Sequence, residues 1–77
     1  MQVVEINTII NSENSTRWTA NLFECEYQLV PEFDENDNIV EVERLVHVSR
    51  LDTTELSADE ALTPSECQAR SESHYGI

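Results

Sequence analysis

A closely set β-branched run opens this chain, apolar positions then recur at intervals of two over two stretches, and the period is lost beyond Leu51. From Gln2 to Ile10, the residues Val3, Val4, Ile6, Ile9 and Ile10 are β-branched and closely set. Branching at Cβ restricts χ1 in a helix and suits the pleated surface of a strand, so a first strand is predicted there. Asn11-Ser12-Glu13-Asn14-Ser15 is a polar cluster with the side chains that close turns, and it connects this strand to the next. From Arg17 to Val30 the period is two but its phase changes. Trp18, Ala20 and Leu22 occupy even positions, whereas Phe23, Cys25, Tyr27 and Leu29 occupy odd ones. One extra residue in a strand reverses the face of everything after it, so a bulge or bend is expected near Leu22–Phe23.

Residues 31–38, Pro-Glu-Phe-Asp-Glu-Asn-Asp-Asn, read as the turn of a hairpin. The returning strand runs from Ile39 to Leu51, with Val40, Val42, Val46 and Val48 on one face and Glu41, Glu43, Leu45, His47 and Ser49 on the other. Setting Leu29 opposite Val42 brings the two apolar sets together, with Tyr27 opposite Arg44 and Cys25 opposite Val46. Beyond Leu51, Ser57-Ala58-Asp59-Glu60 and Thr63-Pro64-Ser65-Glu66 both match the capping box, the second with Pro at the first helical position. They predict a helical turn near 58–62 and a helix from Pro64 to about Ser73. The helix has a thin apolar face of Cys67, Ala69 and Tyr75, which predicts a loosely packed C-terminal helical segment over 52–77. The expected architecture is α+β, a single small domain over 1–77: a three-stranded antiparallel meander with one or two short C-terminal helices.

Charge gives this fold a strongly acidic surface. The 77 residues hold 16 Asp plus Glu against four Arg and no Lys, a formal charge of −12. A uniformly acidic surface repels nucleic acid and anionic membranes and attracts basic proteins. The charge is also concentrated: residues 31–43 carry six acids and no base, and two of the four Arg, Arg44 and Arg50, follow directly. The N-terminal residues lack the basic segment and apolar run of a signal peptide, and no apolar stretch is long enough to span a bilayer. With only two cysteines, Cys25 and Cys67, reduced thiols and a cytoplasmic setting are expected, that of a host cell if the chain is virus-encoded.

Several chemistries are tested by residue spacing. Asp34-Glu35-Asn36-Asp37-Asn38 opens like a calcium loop, but Ile39 stands where Gly is needed and Leu45 where the bidentate Glu belongs. Cys25, His47, Cys67 and His74 include no pair at the short spacing of structural zinc sites. His47, with Glu24 as its expected cross-strand neighbour, is the nearest approach to a catalytic pair, yet no glycine-rich oxyanion turn accompanies it. The chain is therefore expected to be non-enzymatic, with no metal or other cofactor.

What remains is the acidic set. In a strand, residues two apart share a face at about 6.6 Å, so Glu24/Glu26 and Glu41/Glu43 each present two carboxylates at a spacing comparable to successive phosphates of a nucleic acid strand. With Glu32, Asp34, Glu35 and Asp37 at the hairpin tip, and Phe33 as an apolar anchor, they are expected to form one continuous negative ridge. Such a ridge implies a small inhibitor that binds a basic nucleic-acid-binding protein, such as a host defence nuclease, by imitating the phosphate backbone. Phage anti-restriction and anti-CRISPR factors are analogous in charge and size. The competing expectation is a structural or regulatory interaction module, a homodimer through its sheet included, whose acidity serves only solubility or salt adaptation. It would use apolar contacts such as Leu45 and Trp18.

Overall fold

A computed structural model describes all of residues 1–77. Three antiparallel strands, β1 (Gln2–Ser12), β2 (Ser15–Phe33) and β3 (Ile39–Ala58), form one sheet in the order β1-β2-β3, followed by a helix, α1 (Pro64–His74). This is the expected α+β meander with one C-terminal helix.

Strand lengths set the shape. β1 has 11 residues and ends its ladder at Gln2↔Glu24, with Cys25 N–H still bonded to Met1 O at 2.7 Å. β2 has 19 residues and β3 has 20, so the second hairpin runs on past the body as a two-stranded ribbon, Cys25–Phe33 paired with Ile39–His47. At about 3.3 Å per residue the ribbon is roughly 26 Å long, half of the molecule's 52 Å major axis. The radius of gyration of 16.7 Å exceeds the roughly 11–12 Å of a compact domain of this length. The excess is the ribbon.

α1 covers one face of the body. Its start is the predicted capping box: Glu66 N–H donates to Thr63 Oγ1 at 3.2 Å, and Thr63 N–H donates to Glu66 Oε1 at 3.1 Å. Thr63, through its backbone N–H first and its side chain second, holds the Glu66 carboxyl below its ordinary pKa. Beneath the helix lies a core of Trp18, Ala58, Leu62 and Cys67, flanked by Ile6, Ile9 and Leu56. Burial pushes the Cys67 thiol up. Polar bonds pin the helix to the sheet: Trp18 Nε1–H donates to Ser71 Oγ at 2.7 Å, Gln68 Nε2–H donates to Val4 O at 2.7 Å, and Tyr75 O–H donates to Asp52 Oδ2 at 2.8 Å. Burial, reinforced by Asp52, pushes the Tyr75 phenol up to about 12.

β3 runs past the expected end at Leu51 to Ala58, so residues 52–58 are strand and not part of a helical segment, and the structure differs from expectation in three further local respects. Residues 58–62 form no helical turn, because Ser57 and Ala58 continue the ladder opposite Arg17 and Thr16, and the Thr16 hydroxyl accepts Leu62 N–H at 2.9 Å and donates to Glu60 O at 3.0 Å. The register does shift between Leu22 and Phe23, but the extra residue is Leu51 on β3, and a second shift leaves Val48 unpaired as well. The phase change along β2 instead reflects an exchange of faces: Trp18 and Ala20 are buried on its even face and Cys25 on its odd face. The third difference is the pairing of the ribbon. Leu29 faces Glu43 rather than Val42, Tyr27 faces Leu45, and Cys25 faces His47. A slip of one residue moves every β3 side chain of the ribbon to the other face.

Candidate functional site

The ribbon carries seven acids, Glu26, Glu32, Asp34, Glu35, Asp37, Glu41 and Glu43, against the single base Arg44. Its turn is built by one of them. Asp34 Oδ1 accepts N–H bonds from Asn36 and Asn38 at 2.9 Å each, Asp37 N–H donates to Asp34 O at 3.1 Å, and Asp37 takes a positive φ of 59°, a conformation that Asp and Asn tolerate better than most residues. Asp34 is thus a turn-forming residue, whereas Glu35 and Asp37 project at the tip as exposed carboxylates.

Cross-strand partners share a face, so the observed register sorts the remaining acids. Glu26 and Glu32 lie on the even face with Gln28, Val30, Val40, Val42, Arg44 and Val46. Glu41 and Glu43, opposite Pro31 and Leu29, lie on the odd face. The continuous ridge expected from the sequence is divided: its two strand-borne pairs stand on opposite faces of a thin ribbon. Several acids are also engaged. Glu32 makes a bidentate pair with Arg44, Nε to Oε1 at 2.9 Å and Nη2 to Oε2 at 2.8 Å, which holds its carboxyl below the usual range and the guanidinium above it. Glu26 accepts from Gln28 Nε2–H at 2.7 Å, and Glu24 meets the N-terminal ammonium of Met1 at 3.0 Å. Glu35, Asp37, Glu41 and Glu43 have no side-chain partner within the chain, which leaves them the freest carboxylates on the ribbon.

The odd face carries a row of apolar side chains, of which the alternation pattern places only Tyr27 and Leu29 in the interior. Tyr27, Leu29, Phe33, Ile39 and Leu45 all lie there, with exposures from 40% for Leu45 to 73% for Phe33. Neither β1 nor α1 reaches them. Strand length held the signal: β1 is closed by the turn at Glu13–Asn14 and can pair only with the first part of β2. Trp18, an expected surface anchor, is 2% exposed and belongs to the core.

His47 has a different neighbour from the one expected. Glu24 pairs with Ser49, and His47 Nε2 lies 3.0 Å from Glu5 Oε1 while its ring stacks on Phe23, centroids 4.2 Å apart and 3° from parallel. Both cysteines are free and buried. The one hollow in the body, about 120 Å³, is lined by Thr8, Ile10, Arg17, Trp18, Thr19 and Glu55 where Thr8 and Ile9 bulge opposite Trp18, remote from the ribbon acids. No helix is long and apolar enough to cross a membrane. Among known proteins, no family model matches this chain, and no curated protein or solved structure matches it significantly.

Proposed function

We propose that the protein is a non-enzymatic inhibitor that uses its acidic ribbon as a substitute for a phosphate backbone and binds a basic, nucleic-acid-binding protein. One observation carries the reading: a projecting two-stranded element holds seven acids and one base, a net of −6, in a chain with no Lys. A partner groove that holds polyanions meets carboxylates on both faces and at the tip of such an element, and the ribbon is thin enough to be surrounded. Attraction of this kind is long-ranged and screened by salt.

The test is capture of partners from host extract at low and high salt, with elution by added DNA or RNA. Nucleic-acid-binding proteins should be captured at low salt, lost as salt rises and released by the competing polyanion. Charge reversal at Glu35, Glu41 and Glu43, which have no internal partner, should remove capture with the far-UV spectrum unchanged. Capture by that variant equal to the wild type sinks the proposal.

A second reading rests on the exposed apolar row of the odd face, Tyr27, Leu29, Phe33, Ile39 and Leu45. Exposed apolar residues gathered on one face favour a protein contact that survives salt. Leu29→Ser with Leu45→Ser would abolish such an association, homodimer or other, whereas the phosphate-mimic reading expects the charge reversals to dominate.

A further inference from the structure

The ribbon has two free edges, and they are not equivalent. In an antiparallel ladder, successive residues direct their backbone N–H and C=O alternately toward one neighbour and the other. Cys25 directs both groups to the β1 side, its N–H to Met1 O at 2.7 Å and its C=O to the Met1 ammonium at 2.9 Å. Pairing is unbroken from Cys25↔His47 to Phe33↔Ile39. Tyr27, Leu29, Pro31 and Phe33 therefore turn their backbone groups outward on the β2 edge, and Leu45, Glu43, Glu41 and Ile39 do so on the β3 edge. Pro31 has no N–H, so the β2 edge lacks a donor in the middle of its row, a usual obstruction to strand pairing. The β3 edge has every donor.

We infer that the outer edge of β3 over Ile39–Leu45 is a strand-addition site for an extended, basic segment of the partner, which pairs with the backbone and sets cationic side chains opposite Glu41 and Glu43. The inference rests on reading the ribbon as the partner-binding element. The edge residues dictate the occupant's pattern. On the odd face an added strand meets Leu45, Glu43, Glu41 and Ile39 in turn, and so needs apolar, basic, basic, apolar. On the even face it meets Val46, Arg44, Val42 and Val40, where β-branched side chains pack and Arg44 is already held by Glu32. The two carboxylates guard the edge against uncharged strands and against a second copy of this chain: pairing two β3 edges about Val42 sets Glu41 opposite Glu43, two like charges, in molecules of −12 each.

The probe is the peptide acetyl-Val-Thr-Lys-Val-Lys-Thr-Val-amide, a palindrome that presents the required pattern in either direction, compared with the same peptide N-methylated at the backbone of both lysines. The two carry the same charge, but the second lacks two ladder donors. On ¹⁵N-labelled protein, the unmodified peptide should shift the Glu41 and Glu43 amides and slow their exchange with water. The N-methylated peptide should bind about tenfold more weakly or worse, as expected for two lost inter-strand hydrogen bonds. Glu43→Pro, which copies onto β3 the obstruction that Pro31 places on β2, should produce a similar loss. It leaves the β2 ladder its bonds because Glu43 N–H points away from β2. If that variant perturbs the hairpin, the N-methylated peptide on wild-type protein still separates the outcomes. Equal binding of the two peptides overturns strand addition and leaves the electrostatic reading of the ribbon standing. Protection of Tyr27 and Leu29 in place of Glu41 and Glu43 overturns it, as does binding of neither peptide.

Discussion

Ser71→Ala tests what holds the body together beneath the ribbon. Ser71 is fully buried in α1, where its hydroxyl accepts the Trp18 indole N–H at 2.7 Å and donates to Cys67 O at 2.8 Å. Alanine removes the acceptor and leaves the indole N–H without a partner beside Ala58, Leu62 and Cys67. Stranding a buried donor costs about 1–3 kcal/mol. Alanine's better helix propensity returns roughly 0.5 kcal/mol, so the net loss is about 0.5–2.5 kcal/mol. A domain of this length is stable by only about 4–12 kcal/mol, and the change should lower Tm by about 2–20 °C. Urea unfolding followed by Trp18 fluorescence is the assay, with far-UV circular dichroism reporting α1 in parallel. With a slope of about 1 kcal/mol/M the midpoint should fall by about 0.5–2.5 M. A loss below about 0.5 kcal/mol refutes the reasoning. The paired variant sharpens the test: in a Trp18→Phe background, which has no indole donor and, Trp18 being the single tryptophan, is followed by circular dichroism alone, Ser71→Ala should cost at least about 1 kcal/mol less. Strict additivity would show that the bond stabilises nothing.

Four further outcomes follow from the same geometry. Native-state hydrogen exchange should show the ribbon amides of Gln28 and Val30 opening well before those of Ala20 and Leu22, because a two-stranded ribbon without a third strand or helix is marginal; equal protection would contradict the placement of the ribbon outside the body. The Tyr75 phenol titrates near 12 in the folded chain against 10.0 in a free one, so its contribution is complete below about pH 10 and is lost as pH rises toward 12, and Tyr75→Phe should delay the alkaline loss of helix signal. The Glu66 carboxyl is held below its ordinary 4.5 by Thr63, so its contribution is present above that pH and is lost as pH falls below it; Glu66→Gln should flatten this acid limb of the helix signal, and Thr63→Ala should cost about 1 kcal/mol at neutral pH in urea unfolding. Asp34→Ala removes the acceptor of two turn N–H bonds and should broaden or shift the amide signals of residues 33–39 while leaving those of the body in place.

Much of this protein was legible in its residues. The β-branched run of β1, the turn before Ser15, the hairpin turn rich in Asp and Asn, and the capping box of α1 each act through interactions within a few residues, and each appears where local chemistry puts it. Charge is legible for the same reason, being a property of composition: the concentration of acids in residues 31–43 lies on the ribbon. The Ser57 capping box has the same local signal as the Thr63 box but loses to a non-local competitor, the ladder that holds Ser57 and Ala58 opposite Arg17 and Thr16.

The faces belong to the tertiary structure, and the reason is one of parity. Matching the apolar residues of two strands leaves their register free by one position, since Leu29 against Val42 buries as plausible a set as Leu29 against Glu43. The turn removes that freedom. Asp34 and the positive φ of Asp37 close five residues between Phe33 and Ile39. An odd turn sets odd positions of β2 against odd positions of β3. Every side chain of the ribbon then follows: Glu41 and Glu43 move beside Leu29 and Pro31, and Glu26 and Glu32 keep the valines. Local chemistry along the chain specifies the strands, the helix and the place of the charge; which carboxylates stand together, and that a row of apolar side chains is left in water beside two of them, depends on a turn geometry and a β1 too short to reach.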